Sequence, residues 1–182
     1  MKSSTQNNRQ KLIDKTRDTV VFAMLGGITF VSYLLMQGLP NIHLVGMFTM
    51  VFTLVYRKRA LAPIYVYVML SGLINGFGVA WMPYLYIWTI LWGVTMLLPK
   101  NMPRKIAYVV YPVVCALHGL LFGLLYLPAQ VIMFNLSFDA AVAWLLAGLS
   151  FDAVHGAGNF VFGFLIIPLS ELLKKLDKVG RV

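Results

Sequence analysis

The stretch Val51-Phe-Thr-Leu-Val-Tyr-Arg57-Lys58-Arg59-Ala-Leu61-Ala-Pro-Ile-Tyr-Val-Tyr-Val-Met-Leu70 sets two apolar runs on either side of three consecutive cations. Neither run carries a Lys, Arg, Asp or Glu. Outward from this point the pattern repeats along the chain. The apolar runs are Thr19–Gln37, Ile42–Tyr56, Leu61–Phe77, Met82–Leu98, Ile106–Leu125 and Ala140–Leu173. Most approach the ~20 residues that cross a hydrocarbon core as a helix. The second is short and reads as a span with little tilt or a break near Gly46. The last is long, and its end, Glu171-Leu-Leu-Lys174-Lys175, reads as a helix leaving the membrane on the cytoplasmic side. Alternating ten-residue strands are absent, which argues against a β-barrel.

Composition agrees. Of 182 residues 60% are hydrophobic and 12% charged, where a soluble domain carries about a quarter charged. The mean hydropathy is +0.80. Length suggests one domain. A net charge of +9 would suggest nucleic-acid binding in a soluble protein. Here the charges lie at the edges of apolar runs, so they are topology signals and no nucleic-acid partner is expected. Residues 1–18 are polar and the run after them is long enough to span, so no cleavable leader is expected.

The connections fix the topology. All fifteen Lys and Arg fall in residues 1–18, Arg57–Ala60, Pro99–Lys105 and the tail that includes Lys174, Lys175, Lys178 and Arg181. None falls in Gly38–Asn41, Gly78–Trp81 or Tyr126–Asp139. Positive charge concentrates on the cytoplasmic side. The reading is an all-α membrane protein, a six-transmembrane-helix bundle in the cell membrane with both termini cytoplasmic. Residues 1–18 are a cytoplasmic segment, 19–173 the transmembrane domain and 174–182 a cytoplasmic tail. Tyr126–Asp139 reads as an outer loop that either packs over something or lies in the interfacial zone. Internal repeats are absent.

Ionisable groups at membrane depth are costly and tend to face the bundle interior. Asp152, His155 and Asn159, three and four residues apart, share one helical face. They either line a ligand pocket or hold helices together. Gly156 and Gly158 beside them allow close approach. His118, Asn75 and His43 are further candidates for one outer cavity, each with a plain hydrogen-bonding role as the alternative. Trp81, Tyr84, Tyr86, Trp88 and Trp92 crowd one stretch. Tyr84, Trp88 and Trp92 are each one turn apart, as an aromatic wall for a ring-bearing ligand or an interfacial belt. Ala23 and Gly27, with Gly26, give a small-residue strip on which another helix can pack. Cys115 reads as a buried inert thiol. The sequence lacks a Walker A motif, H-E-x-x-H and G-x-S-x-G. One Cys and three scattered His give no expectation of a metal, and no cofactor is expected.

Several of these residues carry a resemblance. Ala23-Met-Leu-Gly26-Gly27 is similar to the small-residue strip of the S components, the substrate-binding membrane subunits of energy-coupling factor (ECF) transporters, with Gly at the second small position where Ala is usual. Leu39-Pro-Asn-Ile-His-Leu-Val-Gly46 resembles their first outer loop running into helix two, and Ser71-Gly72-Leu-Ile-Asn75-Gly76-Phe77 their third helix. Asp152-x-x-His155-x-x-Gly158-Asn159 resembles the stretch that lines their vitamin site. The resemblance covers about residues 19–173. It implies high-affinity vitamin binding without catalysis, and depth and spacing in the sequence set the expected contacts as Asp152, His155, Asn159, Trp88, Trp92, Tyr84, Asn75 and His118. It also implies docking through Ala23, Gly26 and Gly27 on a transmembrane coupling subunit that works with two ATPase subunits. No basic residue lies on the outer half to meet a strongly anionic ligand. The cobalamin-type S component is the leading expectation, with riboflavin or thiamin as alternatives. Two other classes stand beside it: a membrane-embedded enzyme with Asp152 and His155 as acid–base pair, and a scaffold or assembly protein.

Overall fold

The computed structural model describes residues 2–179, with side chains from residue 6 onward; Arg181 of the tail lies outside the described residues. The described chain is all helical. It runs α1 (Lys2–Leu35), α2 (Val45–Tyr56), a short 3-10 turn (Arg57–Ala60), α3 (Leu61–Asn75), α4 (Tyr84–Leu97), α5 (Arg104–Leu120), α6 (Phe122–Phe134), α7 (Phe138–Gly163) and α8 (Ile166–Val179). Three helical segments are long and apolar enough to cross a membrane: Gln6–Leu35, Arg104–Phe134 and Phe138–Gly163. At 12, 15 and 14 residues, α2, α3 and α4 are shorter.

The short α2 is the centre of the bundle. It packs against α4, α8, α5, α1, α7 and α3, and nine of its twelve residues are buried. A helix apolar on every side is stable only when surrounded. The outer helices show the reverse arrangement. On α1, Val20, Met24, Ile28, Val31 and Leu35 form one exposed stripe, and on α7 Leu146, Leu149, Phe160 and Val161 are exposed. Apolar surface on this scale is foreign to a protein facing water and natural against lipid.

The elements end where backbone chemistry ends them. Gly76 (φ 92) closes α3 and Asn135, left-handed at φ 49, closes α6. The Ser137 hydroxyl accepts the Ala140 N–H at 3.3 Å and starts α7. Pro168 has no N–H and its ring clashes with the carbonyl four residues back. The long final run therefore breaks at Phe164–Leu165 into α7 and α8.

One expectation needs correction. The segment from Tyr126 is not a loop until Asn135, because α6 continues through Phe134. It begins at a bend after Leu120, where the Asp152 carboxylate of α7 accepts the Gly123 N–H with its two oxygens at 3.0 and 3.1 Å. That N–H belongs to the first turn of α6, which has no intrahelical partner to give it. The carboxylate satisfies it and lies favourably at the positive end of the α6 dipole.

Two ends of different chemistry result. Arg17 of α1 bonds Asp177 of α8 through the carbonyl at 2.8 Å and the carboxylate at 3.2 Å. Arg59 pairs with Asp18, and Arg57, Lys100, Arg104 and Lys174 line one cavity. The basic connections are therefore gathered together. At the other end the Tyr126 hydroxyl donates to the Ala80 carbonyl, and Tyr33 and Tyr84 line cavities formed with the uncharged connections 36–42 and 76–81.

Candidate functional site

Helices α5 and α7 form the frame of the site, packed through glycine. A Cβ on Gly119 would meet the Gly156 backbone at 2.9 Å, and a Cβ on Gly163 would collide with Pro112. Such contacts let two backbones approach to a distance that any side chain would prevent. Across the narrow gap α7 presents His155, and α5 presents His118.

These two meet α4 and the start of α2 in a continuous aromatic cage. Trp88, 1% exposed, is its hub. Ring centroids of His118, Tyr84, His43, Phe122 and Tyr67 lie 5.5, 5.9, 5.9, 5.9 and 6.0 Å from it. His155, also 1% exposed, has its ring edge-on to His43 at 4.6 Å and to Phe122 at 4.7 Å. A cavity of about 270 Å³ opens against His43, His155, Phe122, Tyr33, Tyr84 and the 36–42 connection. A second, of about 140 Å³, shares Tyr33 and Tyr84 and continues to Ser71, Asn75 and Trp81.

The cage is rich in unanswered polar atoms. His43 Nδ1, His118 Nδ1, His155 Nε2 and Trp88 Nε1 are buried and have no partner among the described residues. Buried polar groups are ordinarily satisfied, and each unsatisfied one costs about 1–3 kcal/mol. His118 Nε2 lies 3.3 Å from the Ile87 carbonyl. A carbonyl only accepts, so this contact places the imidazole proton on Nε2 and leaves Nδ1 as a bare acceptor. Trp88 offers a donor N–H. His43 and His155 line the cavity of about 270 Å³, which has no charged side chain in its lining; Trp88 and His118 pack against the lining residues His43 and Phe122 and are not part of it. Among the described residues no three His, Cys, Asp or Glu are placed to hold a metal ion.

The residues singled out in the sequence divide into groups. His155, His118, Trp88 and Tyr84 come together in the cage. Asn75 lines only the second cavity. Asp152 is not in the cavity lining; both its oxygens are taken by the Gly123 N–H, and it makes no hydrogen bond to His155. Asn159 donates to the Cys115 carbonyl at 3.1 Å and ties α7 to α5, wedged beside Gly46. Trp92 departs most from the expectation. Its indole N–H donates to the Arg57 carbonyl at 3.1 Å, which puts it at the basic end, away from Trp88. The small-residue strip is also split. Gly26 is buried against α3, where a Cβ would come within 2.7 Å of the Pro63 carbonyl oxygen. Ala23 is exposed, and nothing stands within 4 Å of a Cβ on Gly27.

His43, a candidate from the sequence, also lines the cavity, and Tyr33 and Phe122 complete the site beyond the residues singled out. Phe122 follows His118 by four residues and Tyr126 follows Phe122 by four, a helical stripe visible in the sequence. Tyr33 had no such neighbour to mark it. Comparison with models of known protein families, with curated proteins and with solved structures finds no match for the chain.

Proposed function

We propose that the chain is the substrate-binding subunit of an ECF-type importer, holding a ring-bearing vitamin in the cage of Trp88, His118, His155, His43, Phe122, Tyr33 and Tyr84. The observation that carries this reading is the pair of buried, unpartnered imidazole nitrogens, on His43 and His155, that line an uncharged cavity, with Trp88 and His118 packed against that lining. An apolar cavity with a few converging polar groups is the general form of a small-molecule site. A neutral heterocycle with polar ring atoms meets those two nitrogens and stacks on the aromatic walls of Tyr33, Tyr84 and Phe122. A cavity of about 270 Å³ supports a vitamin of one to three rings, such as thiamin or riboflavin, over cobalamin, whose corrin macrocycle is several times larger.

In this reading the bundle crosses the membrane six times, with α5–α6 and α7–α8 as the last two crossings. The sorting of basic and uncharged connections to opposite ends supports it, and the positive-inside rule then places both termini in the cytoplasm. The shortness of α2 is no obstacle. Twelve residues rise about 18 Å, but α2 touches protein on all sides, so lipid thickness does not set its length. The sequence lacks a Walker A motif, and partner ATPases supply the energy through a coupling subunit docked on the outward face of α1 at Ala23 and Gly27.

The test is mass spectrometry of small molecules released from the detergent-purified protein, with titration against a vitamin panel. One vitamin bound tightly, with His155→Ala weakening it by about 10- to 100-fold, is the expected result. Well-folded protein that neither releases nor binds a vitamin would overturn the reading.

A further inference from the structure

The opposite end of the bundle carries a second constellation of unpartnered polar atoms. A cavity of about 380 Å³ is lined by Arg57, Lys100, Arg104 and Lys174, with Glu171 and Ser170. Arg104 spends its charge on Glu171 at 3.5 Å. Arg57, Lys100 and Lys174 remain in positive excess. Arg57 follows α2 in a left-handed conformation (φ 54). One terminal nitrogen donates to the Met96 carbonyl at 2.8 Å, which fixes the guanidinium, while Nε is buried and has no partner. Ser170 of α8 is 4% exposed, and its buried Oγ likewise has no partner among the described residues.

A fixed guanidinium donor and a buried hydroxyl donor in a cavity of excess positive charge call for an anion with several oxygen acceptors. A carboxylate has two oxygens. A phosphate has enough to take the Arg57 and Ser170 donors and still meet Lys100 and Lys174. Basic pockets between membrane helices take lipid head groups by the same chemistry. We propose that this cavity binds a phosphate group, presented either by an anionic phospholipid or as free phosphate. The inference is independent of the function proposed above.

The experiment uses the full chain in phosphatidylcholine nanodiscs doped with phosphatidylglycerol, read by native mass spectrometry. A parallel arm adds inorganic phosphate to the protein in neutral detergent and follows the melting temperature. Lys100→Gln/Lys174→Gln and Ser170→Ala are compared with Lys11→Gln/Lys15→Gln, which removes the same charge from the exposed start of α1. The expected result is one retained phosphatidylglycerol on the wild type and the α1 variant, with about tenfold weaker retention in both cavity variants. If inorganic phosphate raises the melting temperature and the cavity variants abolish the rise, the source is free phosphate and the site stands. If neither probe separates the cavity variants from the α1 variant, or if Ser170→Ala binds like the wild type, the proposal is overturned.

Discussion

The two ends of the bundle are built from the same helices and surround their polar atoms with different chemistry, ions at one end and aromatic rings at the other. At the basic end, charge meets charge or carbonyl: Arg17 with Asp177, Arg59 with Asp18, Trp92 with the Arg57 carbonyl. At the uncharged end, three imidazoles and an indole are enclosed by rings, and four of their nitrogens have no partner. A helical bundle in lipid gains little from burying apolar groups, since lipid is as apolar as the core. Its polar atoms are therefore the expensive ones. At the basic end ion pairs and carbonyls answer some of them, and Arg57 Nε and Ser170 Oγ are left over in the cavity proposed to take a phosphate. At the uncharged end the unanswered nitrogens of His43 and His155 face a cavity, and this contrast is what supports the proposed vitamin site.

The comparison breaks most visibly at its two tryptophans. Trp88→Ala removes the hub of the cage and is expected to cost about 3–5 kcal/mol. Trp92→Ala gives up one hydrogen bond and a half-buried ring, and is expected to cost about 1–3 kcal/mol. Unfolding of the purified variants in a graded detergent series measures both. Equal costs would mean that the cage is no more tightly built than the basic end.

Asp152 sharpens the boundary between holding and binding. Gly123→Ala drives a Cβ into its carboxylate and frees the N–H it satisfies, for an expected loss of about 1–3 kcal/mol. Asp152→Asn keeps an acceptor oxygen and is expected to lose less, with ligand affinity unchanged. If Asp152→Asn instead abolishes binding at full stability, the residue belongs to the pocket and the assignment to α6 fails.

His155→Phe acts in the reverse sense. It replaces an unpartnered buried imidazole by a ring of similar shape. Removing an unsatisfied polar atom in this way is neutral or stabilising, so the ligand-free protein is expected to melt at the same or a slightly higher temperature. Ligand binding is expected to be lost. A variant that melts several degrees lower would show that His155 is satisfied in the native protein and serves packing.

How much of this was legible in the residues follows from what sequence encodes. The helix ends at Gly76, Asn135 and Ser137 rest on local turn and cap chemistry, yet none of them was marked in advance. The break before Pro168 was equally local and was passed over, as was the helical continuation to Phe134, since an apolar run gives length without saying where it bends. In the site, Trp88, His118, His155 and Tyr84 were legible as polar or aromatic residues at membrane depth. Trp92 was misplaced because one-turn spacing from Trp88 puts two residues on one face but says nothing of which end of the bundle that turn reaches. Asp152 and His155 share a face for the same reason, yet one points to α6 and the other to the cage. Only the partner helix decides, and partner helices are long-range information.

The smallest expected effect concerns α1, where adjacent glycines face opposite ways. Gly26 lies against Val66 and the Pro63 carbonyl, and Gly27 faces outward with open space around it. Gly26→Ala must push α1 and α3 apart and is expected to cost about 1–3 kcal/mol. Gly27→Ala adds a methyl group in open space, and its stability is expected to stay within about 0.5 kcal/mol of the wild type. Gly27 also lines a shallow apolar groove with Met24, Ile28, Val31 and Leu35. A bulky Gly27→Leu should leave folding and ligand binding intact. In the importer reading it should nevertheless weaken copurification with the coupling subunit, because the flat strip that admits a second helix has been filled. Copurification unchanged by Gly27→Leu would move the docking surface to another face of the bundle while leaving the cage untouched.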